Sequence, residues 1–272
     1  RAPDEFAHAK YSAMRERSVG LGVMGLHSYF QKKNIPFGSV MSKVWNKKVF
    51  KNIQEKVDAA SKSLAEERGA CPDAEEYGMK ERFSNKTAIA PTASISIICG
   101  GSSPGIEPIA ANSYTHKTLS GSFNVRNKYL KKILSKYKKD TDDVWSSITT
   151  NQGSVSHLDF LTAEEKDTFK TAFEIDQRWI VELGADRTPH ISQAQSINIF
   201  IPADIHKKDL HNLHFQAWKK GLKSLYYCRS KSIQRAENVN KGTSTDVTKN
   251  VYSQGQESNN ESNNYEECLS CQ

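Results

Sequence analysis

Two adjacent tyrosines, Tyr226 and Tyr227, end a short β-prone run that follows an expected helix. Neighbouring phenols can exchange an electron and a proton over a short distance, whereas a phenylalanine at either position would interrupt such a relay. Because aromatic residues favour strands, packing in a core is the alternative explanation. Successive residues of a regular strand face opposite sides, so the two rings can meet only where the backbone is irregular. We therefore predict an irregular strand end here.

A hydroxyl-rich run, Pro-Thr-Ala-Ser-Ile-Ser, occupies residues 91–96. A short buried strand is expected before it at residues 87–90, and an apolar helical stretch after it. The first turn of a helix presents free backbone N–H groups, which together with hydroxyls favour an anion such as phosphate. An ordinary helix N-cap with extra serines explains the run equally well. Further on, Glu107 is either a surface charge or an anchored loop carboxylate.

Cys268 and Cys271 form a C-x-x-C pair at the end of a polar segment that starts near residue 236. This segment has almost nothing to bury, so we expect a flexible tail. Half a zinc site would need a second ligand pair, and a thioredoxin-type site would need a helix N-terminus beside the thiol. A mobile dithiol that exchanges with a disulfide elsewhere fits the pair, with chance pairing as the alternative.

The element that positions the tyrosines is a helix expected at residues 204–220. Leu210, Leu213 and Ala217 recur at helical spacing, and Gly221 stands where a C-terminal glycine belongs. Helix, glycine and short apolar strand are typical of an α/β unit.

The clearest helix is expected at residues 39–68, with Ser39 as N-cap and Gly69 after its end. Its predicted apolar stripe consists of Met41, Trp45, Val49, Ile53, Val57, Ala60 and Leu64. Further helices are expected at residues 124–137 and, from a capping box, at residues 162–173. An interior strand is expected at residues 197–201.

The glycine run at residues 20–25 matches the G-x-G-x-x-G string of dinucleotide-binding folds. That motif requires a strand before it and an acidic residue about 20 positions later, and neither is present. Close helix packing through small residues is the better explanation.

The protein has 272 residues, of which 37% are hydrophobic and 25% are charged. No apolar run is long enough to span a bilayer, and no secretory signal is visible, so no membrane association is expected. The five cysteines are few and unevenly spaced, which favours a cytoplasmic location. A net charge of +7 leaves a basic α/β nucleic-acid-binding module as an alternative function, although the scattered lysines favour a solvated surface.

Taken together, these segments resemble the C-terminal part of the class I ribonucleotide reductase large (α) subunit. The likeness covers nearly the whole chain, and the order of the motifs is specific where each alone is weak. The matching runs are residues 17–25, 64–72, 90–96, 105–108, 193–198, 217–223, 225–227 and 267–271.

The resemblance implies a role for each candidate site. The Pro-Thr-Ala-Ser loop of that family holds the substrate diphosphate, and the tyrosine pair carries a radical from the small (β) subunit to an active-site thiol, which maps onto Tyr226 and Tyr227. The terminal cysteines, here Cys268 and Cys271, accept reducing equivalents from thioredoxin or glutaredoxin. The loop residues that would contact phosphate are Thr92, Ala93, Ser94, Ile95 and Ser96.

The resemblance also implies a fold and a division of labour. Residues 1–235 would form the C-terminal part of a ten-stranded α/β barrel, and residues 236–272 a redox tail. The family's finger loop, with its thiyl cysteine, has no counterpart in this sequence, and neither do the regulatory nucleotide sites. An N-terminal part of the α subunit is therefore an expected partner. No metal or cofactor is expected in this chain, whereas the small subunit would carry a metal/tyrosyl-radical cofactor. The expected activity is reduction of ribonucleoside diphosphates for deoxyribonucleotide synthesis, by the assembled complex only.

Overall fold

A computed structural model describes residues 3–118 and 121–230 of the chain. Its strands are β1 (Ser113–Thr118), β2 (Gly121–Arg126), β3 (Ile199–Ile201) and β4 (Cys228–Ser230). Its helices are α1 (Ala7–Glu16), α2 (Leu26–Lys32), α3 (Val40–Arg68), α4 (Pro72–Glu76), α5 (Ala93–Ile98), α6 (Lys128–Lys136), α7 (Asp142–Thr150), α8 (Ala163–Thr168), α9 (Gln177–Arg187) and α10 (Lys207–Lys219). Short 3-10 turns cover Asp4–Phe6 and Thr188–His190.

Four extended segments lie side by side in parallel. Leu21 bridges to Thr87, and Ile89 bridges to Gln195 on the segment that continues into β3. β3 in turn pairs in parallel with β4. Parallel pairing needs long crossovers, and these contain α3, α9 and α10. The chain therefore has an α/β arrangement, in which the run expected as a strand at residues 87–90 pairs through single bridges.

The main hydrophobic core lies between α2, α3, α9 and the extended segments. Its fully buried members include Phe30 on α2, Phe50 on α3 and Leu183 on α9. A second core, which contains Trp145, forms between α6 and α7. Because burial of such side chains contributes about 1.5–3 kcal/mol each, these cores set the relative placement of the segments that carry the site.

The ends of α3 and the C-terminal end of α10 agree with the sequence, whereas α10 begins only at Lys207 rather than at residue 204, and the buried face of α3 differs from the prediction. The Ser39 hydroxyl accepts from the N–H of Ser42, and Gly69 and Gly221 follow their helices with positive φ. The predicted stripe of α3 is only partly buried, and the fully buried line lies one position further along. It consists of Ser42, Asn46, Phe50, Ser61 and Ala65. These mostly small side chains allow close packing, and Asn46 Nδ2 donates to the carbonyl of Leu183, 2.9 Å away.

The expected helix at residues 124–137 is wrong at its start. Residues 121–126 form β2, which pairs antiparallel with β1, and the helix begins only at Lys128. Asn127 caps it, because its Oδ1 accepts from the N–H of Tyr129 at 3.0 Å. The capping box at Thr162 is confirmed, although α8 ends at Thr168 rather than near residue 173.

The glycine run at residues 20–25 packs against an extended segment and not against a helix, which corrects the expectation. A Cβ on Gly22 would lie 2.8 Å from the carbonyl oxygen of Ala88, so the backbone contact requires glycine. Within the described part of the chain, no helix combines the length and apolar character needed to cross a membrane.

Candidate functional site

The rings of Tyr226 and Tyr227 are in contact. Their centroids are 4.1 Å apart and their planes are inclined by 52°. Both side chains remain more than two-fifths exposed, at 44% and 43%, so the pair is not buried in a core. The predicted meeting of the rings is confirmed, but the strand expected before the pair is wrong: β4 begins immediately after it, at Cys228.

The backbone around the pair is irregular because a side chain interrupts the backbone pairing. The N–H of Tyr226 donates to the carbonyl of Ile197 at 2.8 Å, and the carbonyl of Tyr227 accepts from the N–H of Ile199 at 2.9 Å. Between them, the N–H of Tyr227 donates to Oδ1 of Asn198, 3.0 Å away. Tyr226 and Tyr227 thus both bond to the segment at residues 197–199, whereas successive residues of a regular strand bond to opposite neighbours, so the regular alternation of side chains does not apply here.

Asn198 is fully buried and connects the tyrosine pair to Glu107. Its Nδ2 donates to Oε1 of Glu107 at 2.6 Å. Glu107 is only 7% exposed, which settles the two alternatives in favour of an anchored loop carboxylate. Burial raises the pKa of Glu107 to about 7, against the opposing effects of the Asn198 hydrogen bond and the charge of Arg229.

Arg229, on β4, is the cation next to both groups. Its guanidinium carbon lies 5.8 Å from the centroid of the Tyr227 ring, a cation–π distance. The same positive charge acts on the Glu107 carboxyl. Arg229 therefore acts on both the buried carboxyl and the Tyr227 ring.

The hydroxyl-rich run forms a turn followed by the short helix α5, as predicted, but the helix begins at Ala93 inside the run rather than after it. No side chain caps α5, so the ordinary N-cap explanation is wrong. Thr92 has a left-handed backbone, with φ of 54°, and its Oγ1 accepts from the N–H of Gly105 at 2.8 Å. Ser96 Oγ donates to the carbonyl of Ala93 at 2.7 Å. Two of the candidate hydroxyls thus stabilise the loop itself, whereas the side chains of Ser94 and Ile95 are exposed.

A cavity of about 320 Å³ adjoins α5 on the side of the β1–β2 hairpin. Ala93 and Ser96 contribute to its wall, together with polar side chains from other elements. Those polar side chains include Gln31, Asn112, Tyr114, Arg126 and Asn127. Tyr226 and Tyr227 do not line it, so the cavity adjoins the run at residues 91–96 and not the tyrosine pair.

The loop at residues 102–108 joins the two predicted sites. At one end, the N–H of Gly105 donates to Thr92 beside α5. At the other, Glu107 accepts from Asn198, which holds the backbone of Tyr227. Asn198 ends the matching run at residues 193–198, but the sequence alone predicted no role for it. The available signal was an asparagine among isoleucines in an otherwise apolar strand.

The remaining candidates have different outcomes. Cys268 and Cys271 lie outside the described residues. Cys71 is fully buried, as free cysteines often are. Among residues 3–118 and 121–230, no three His, Cys, Asp or Glu side chains come together as metal ligands. The buried His27 instead accepts from the N–H of Ile109 through Nδ1, and burial lowers its pKa to about 3.

Comparison with known proteins gives a consistent result. The sequence model described as "Ribonucleotide reductase, barrel domain" matches residues 3–81 and 73–228. The "Ribonucleoside-diphosphate reductase large subunit" of Invertebrate iridescent virus 6 is 47% identical over 243 residues, which cover 88% of this chain and 25% of that protein. The protein of the same description from Invertebrate iridescent virus 3 is 43% identical over 247 residues, covering 90% of this chain and 39% of that protein.

A solved structure shares the fold. The "Actinobacillus ureae class Id ribonucleotide reductase alpha subunit" superimposes with a TM-score of 0.79 at 39% identity. The match covers 87% of this chain and 43% of that one. The chain thus spans between a quarter and about two-fifths of the length of these relatives.

Proposed function

The chain belongs to the ribonucleotide reductase barrel-domain family, and from this premise we propose that it is the C-terminal part of a class I ribonucleoside-diphosphate reductase large subunit. The assembled enzyme would replace the 2′-hydroxyl of a ribonucleoside diphosphate with hydrogen and release water. A dithiol supplies the two electrons and becomes a disulfide. The contribution of this chain is a tyrosine relay, a phosphate loop and a thiol tail.

The observation that carries this proposal is the contact between two partly exposed phenols. A relay residue must lose an electron and a proton together, so it needs a partner within contact distance. The centroid separation of 4.1 Å between Tyr226 and Tyr227 provides that partner. Their exposure of 44% and 43% leaves a side open toward other parts of the subunit.

The phosphate-binding role rests on the loop at residues 92–96. Its α5 N-terminus is not capped by a side chain, and the left-handed Thr92 turns the chain into the helix. We assign diphosphate binding to the backbone N–H groups and hydroxyls of this run, with Ile95 contributing only its N–H. The hydrogen bond from Gly105 to Thr92 holds the turn in place before substrate arrives.

The tail and the partners complete the proposal. Cys268 and Cys271, on a separate segment at residues 236–272, would carry reducing equivalents from thioredoxin or glutaredoxin to the barrel part at residues 1–235. The catalytic cysteine would come from an N-terminal part of the α subunit, and the radical from a metal-containing β subunit. On this view the chain is inactive alone and acts in the cytoplasm.

The deciding experiment replaces one hydroxyl at a time in the assembled enzyme. Tyr226→Phe and Tyr227→Phe should each abolish nucleoside diphosphate reduction while changing the free energy of unfolding by only about 1 kcal/mol. Tyr77→Phe, on an 80% exposed side chain, is the matched control and should retain activity. Near-normal turnover in both relay variants would refute the proposal.

A further inference from the structure

The buried carboxyl of Glu107 has no part in the relay described so far, yet it is bonded to the residue that holds Tyr227. Resting on the proposed relay, we infer that Glu107 is a positioning residue of the tyrosine pair, acting through Asn198. It would do so by fixing the orientation of the Asn198 amide, and thereby the backbone of Tyr227.

The Asn198 amide can serve Tyr227 in only one orientation. Its Oδ1 accepts from the N–H of Tyr227 at 3.0 Å while its Nδ2 donates to Glu107 at 2.6 Å. A flipped amide would place an NH₂ group against the N–H of Tyr227, so two donors would face each other. An ionised carboxylate at position 107 accepts hydrogen bonds only, and it therefore selects the productive orientation.

Glu107 can hold this position because its own loop is fixed. The N–H of Glu107 donates to the carbonyl of Pro104, and Ser103 and Ser28 exchange reciprocal hydrogen bonds at 2.8 and 3.1 Å. Gly105 adds the bond to Thr92. Because this loop is rigid, the Glu107 carboxyl can fix the orientation of the Asn198 amide. A carboxyl on a flexible loop would instead move with the amide.

Burying a carboxyl carries a desolvation cost that a single hydrogen bond from an amide does not require, which argues for a role beyond packing. Burial raises the pKa of Glu107 to about 7, so the carboxyl changes charge near neutral pH. The charged and polar groups that act on it are Asn198, from the segment leading into β3, and Arg229, from β4. Both also contact Tyr227, through its backbone N–H and its ring.

The test exchanges the two functional groups in the assembled enzyme. Asn198→Asp keeps an acceptor for the N–H of Tyr227 but sets a second carboxyl against Glu107. Two carboxyls in contact resist ionising together. At low pH they share a proton, whereas at high pH, where both become ionised, they repel each other. Turnover of this variant should fall at least about tenfold between about pH 6 and pH 8, beyond any fall in the unmodified enzyme.

The double variant Glu107→Gln with Asn198→Asp restores one donor and one acceptor in reversed order. The new glutamine amide donates to the new carboxylate, which still accepts from Tyr227. Its turnover should return to within about threefold of the unmodified enzyme at both pH values, with an unchanged KM for the diphosphate. A 3-aminotyrosine placed at position 227 should give a radical EPR spectrum that is altered in the single variant and restored in the double one.

Asn46→Asp is the matched structural control. Asn46 is equally buried, but its Nδ2 donates to the carbonyl of Leu183 and its Oδ1 accepts from Arg187, and these bonds do not involve the tyrosines. It should change stability without changing the pH profile or the EPR spectrum. A flat pH profile for Asn198→Asp, or no recovery in the double variant, would overturn the inference. If Tyr227→Phe abolishes turnover in the same preparations, only the positioning role has failed, and the relay itself stands.

Discussion

Glu107→Gln should make the stability of the chain less dependent on pH, and the size of the effect follows from burial of the carboxyl. The pKa of Glu107 rises from 4.5 to about 7 on folding. Because one pH unit corresponds to about 1.4 kcal/mol, this rise corresponds to about 3 kcal/mol of unfolding free energy. The folded state binds the proton more tightly than the unfolded state. The contribution is therefore complete below pH 4.5 and is lost as pH rises through about 7.

Urea unfolding followed by circular dichroism measures this directly. The free energy of unfolding of the unmodified chain and of Glu107→Gln would be compared at intervals from about pH 4.5 to pH 8. The difference between them should shift by about 3 kcal/mol across that window, in favour of the variant at the alkaline end. The glutamine carbonyl can still accept from Asn198, so the hydrogen bond itself is retained.

Glu66→Gln serves as the control, because Glu66 is exposed on α3. Its stability difference from the unmodified chain should stay constant within about 0.5 kcal/mol over the same range. A Glu107→Gln difference as flat as that of the control would refute the reasoning, since it would mean that the carboxyl is solvated or already neutralised by Arg229.

Three further predictions concern the loop, the tail and the alternative function. Gly105→Ala should lower the free energy of unfolding by about 1–3 kcal/mol, because the φ of Gly105 is 45° and the new Cβ would lie 2.9 Å from the carbonyl oxygen of Ala90. Urea unfolding measures this loss, and an unchanged unfolding midpoint would contradict the prediction. Replacing Cys268 and Cys271 with serine should stop repeated turnover with thioredoxin but leave a single turnover, which rapid-quench assays of the assembled enzyme distinguish; undiminished steady-state turnover would exclude the tail role. Oligonucleotide affinity, measured by fluorescence anisotropy against salt concentration, should be negligible, whereas tight binding with a steep salt dependence would favour the nucleic-acid-binding alternative.

Features set by a few neighbouring residues were predictable from the sequence. The Ser39 cap, the glycine after α10 and the Thr162 capping box depend on hydrogen bonds and backbone angles within one helical turn. The contact between Tyr226 and Tyr227 was predictable only together with the family resemblance, because adjacent residues of a regular strand face opposite sides and a relay requires the rings to meet. The order of the α/β segments followed from the same local patterns together with the family resemblance.

Features set by long-range pairing were not predictable in the same way. Val125 and Tyr129 have helical spacing, but Val125 lies in β2 because β1 offers backbone partners that no local window contains. On α3, Asn46 occupies the buried line because α9 supplies its hydrogen-bond partner, the carbonyl of Leu183. The buried Ser42 hydroxyl instead donates to the carbonyls of Phe37 and Ser39, just before the helix. Apolar periodicity alone therefore predicted the helix correctly, but it placed the buried face one residue away from the observed one.

The Glu107–Asn198 hydrogen bond joins residues 91 positions apart, and for this reason the sequence left Glu107 undecided. This bond relates the two candidate sites to each other. The phosphate run and the tyrosine pair looked independent, yet a loop of a few residues bonds to Thr92 at Gly105 and to Asn198 at Glu107. A displacement of that loop must alter both sites together. Residues 92–96 are thereby connected to the backbone of Tyr227 through one turn and three hydrogen-bonded side chains, those of Thr92, Glu107 and Asn198.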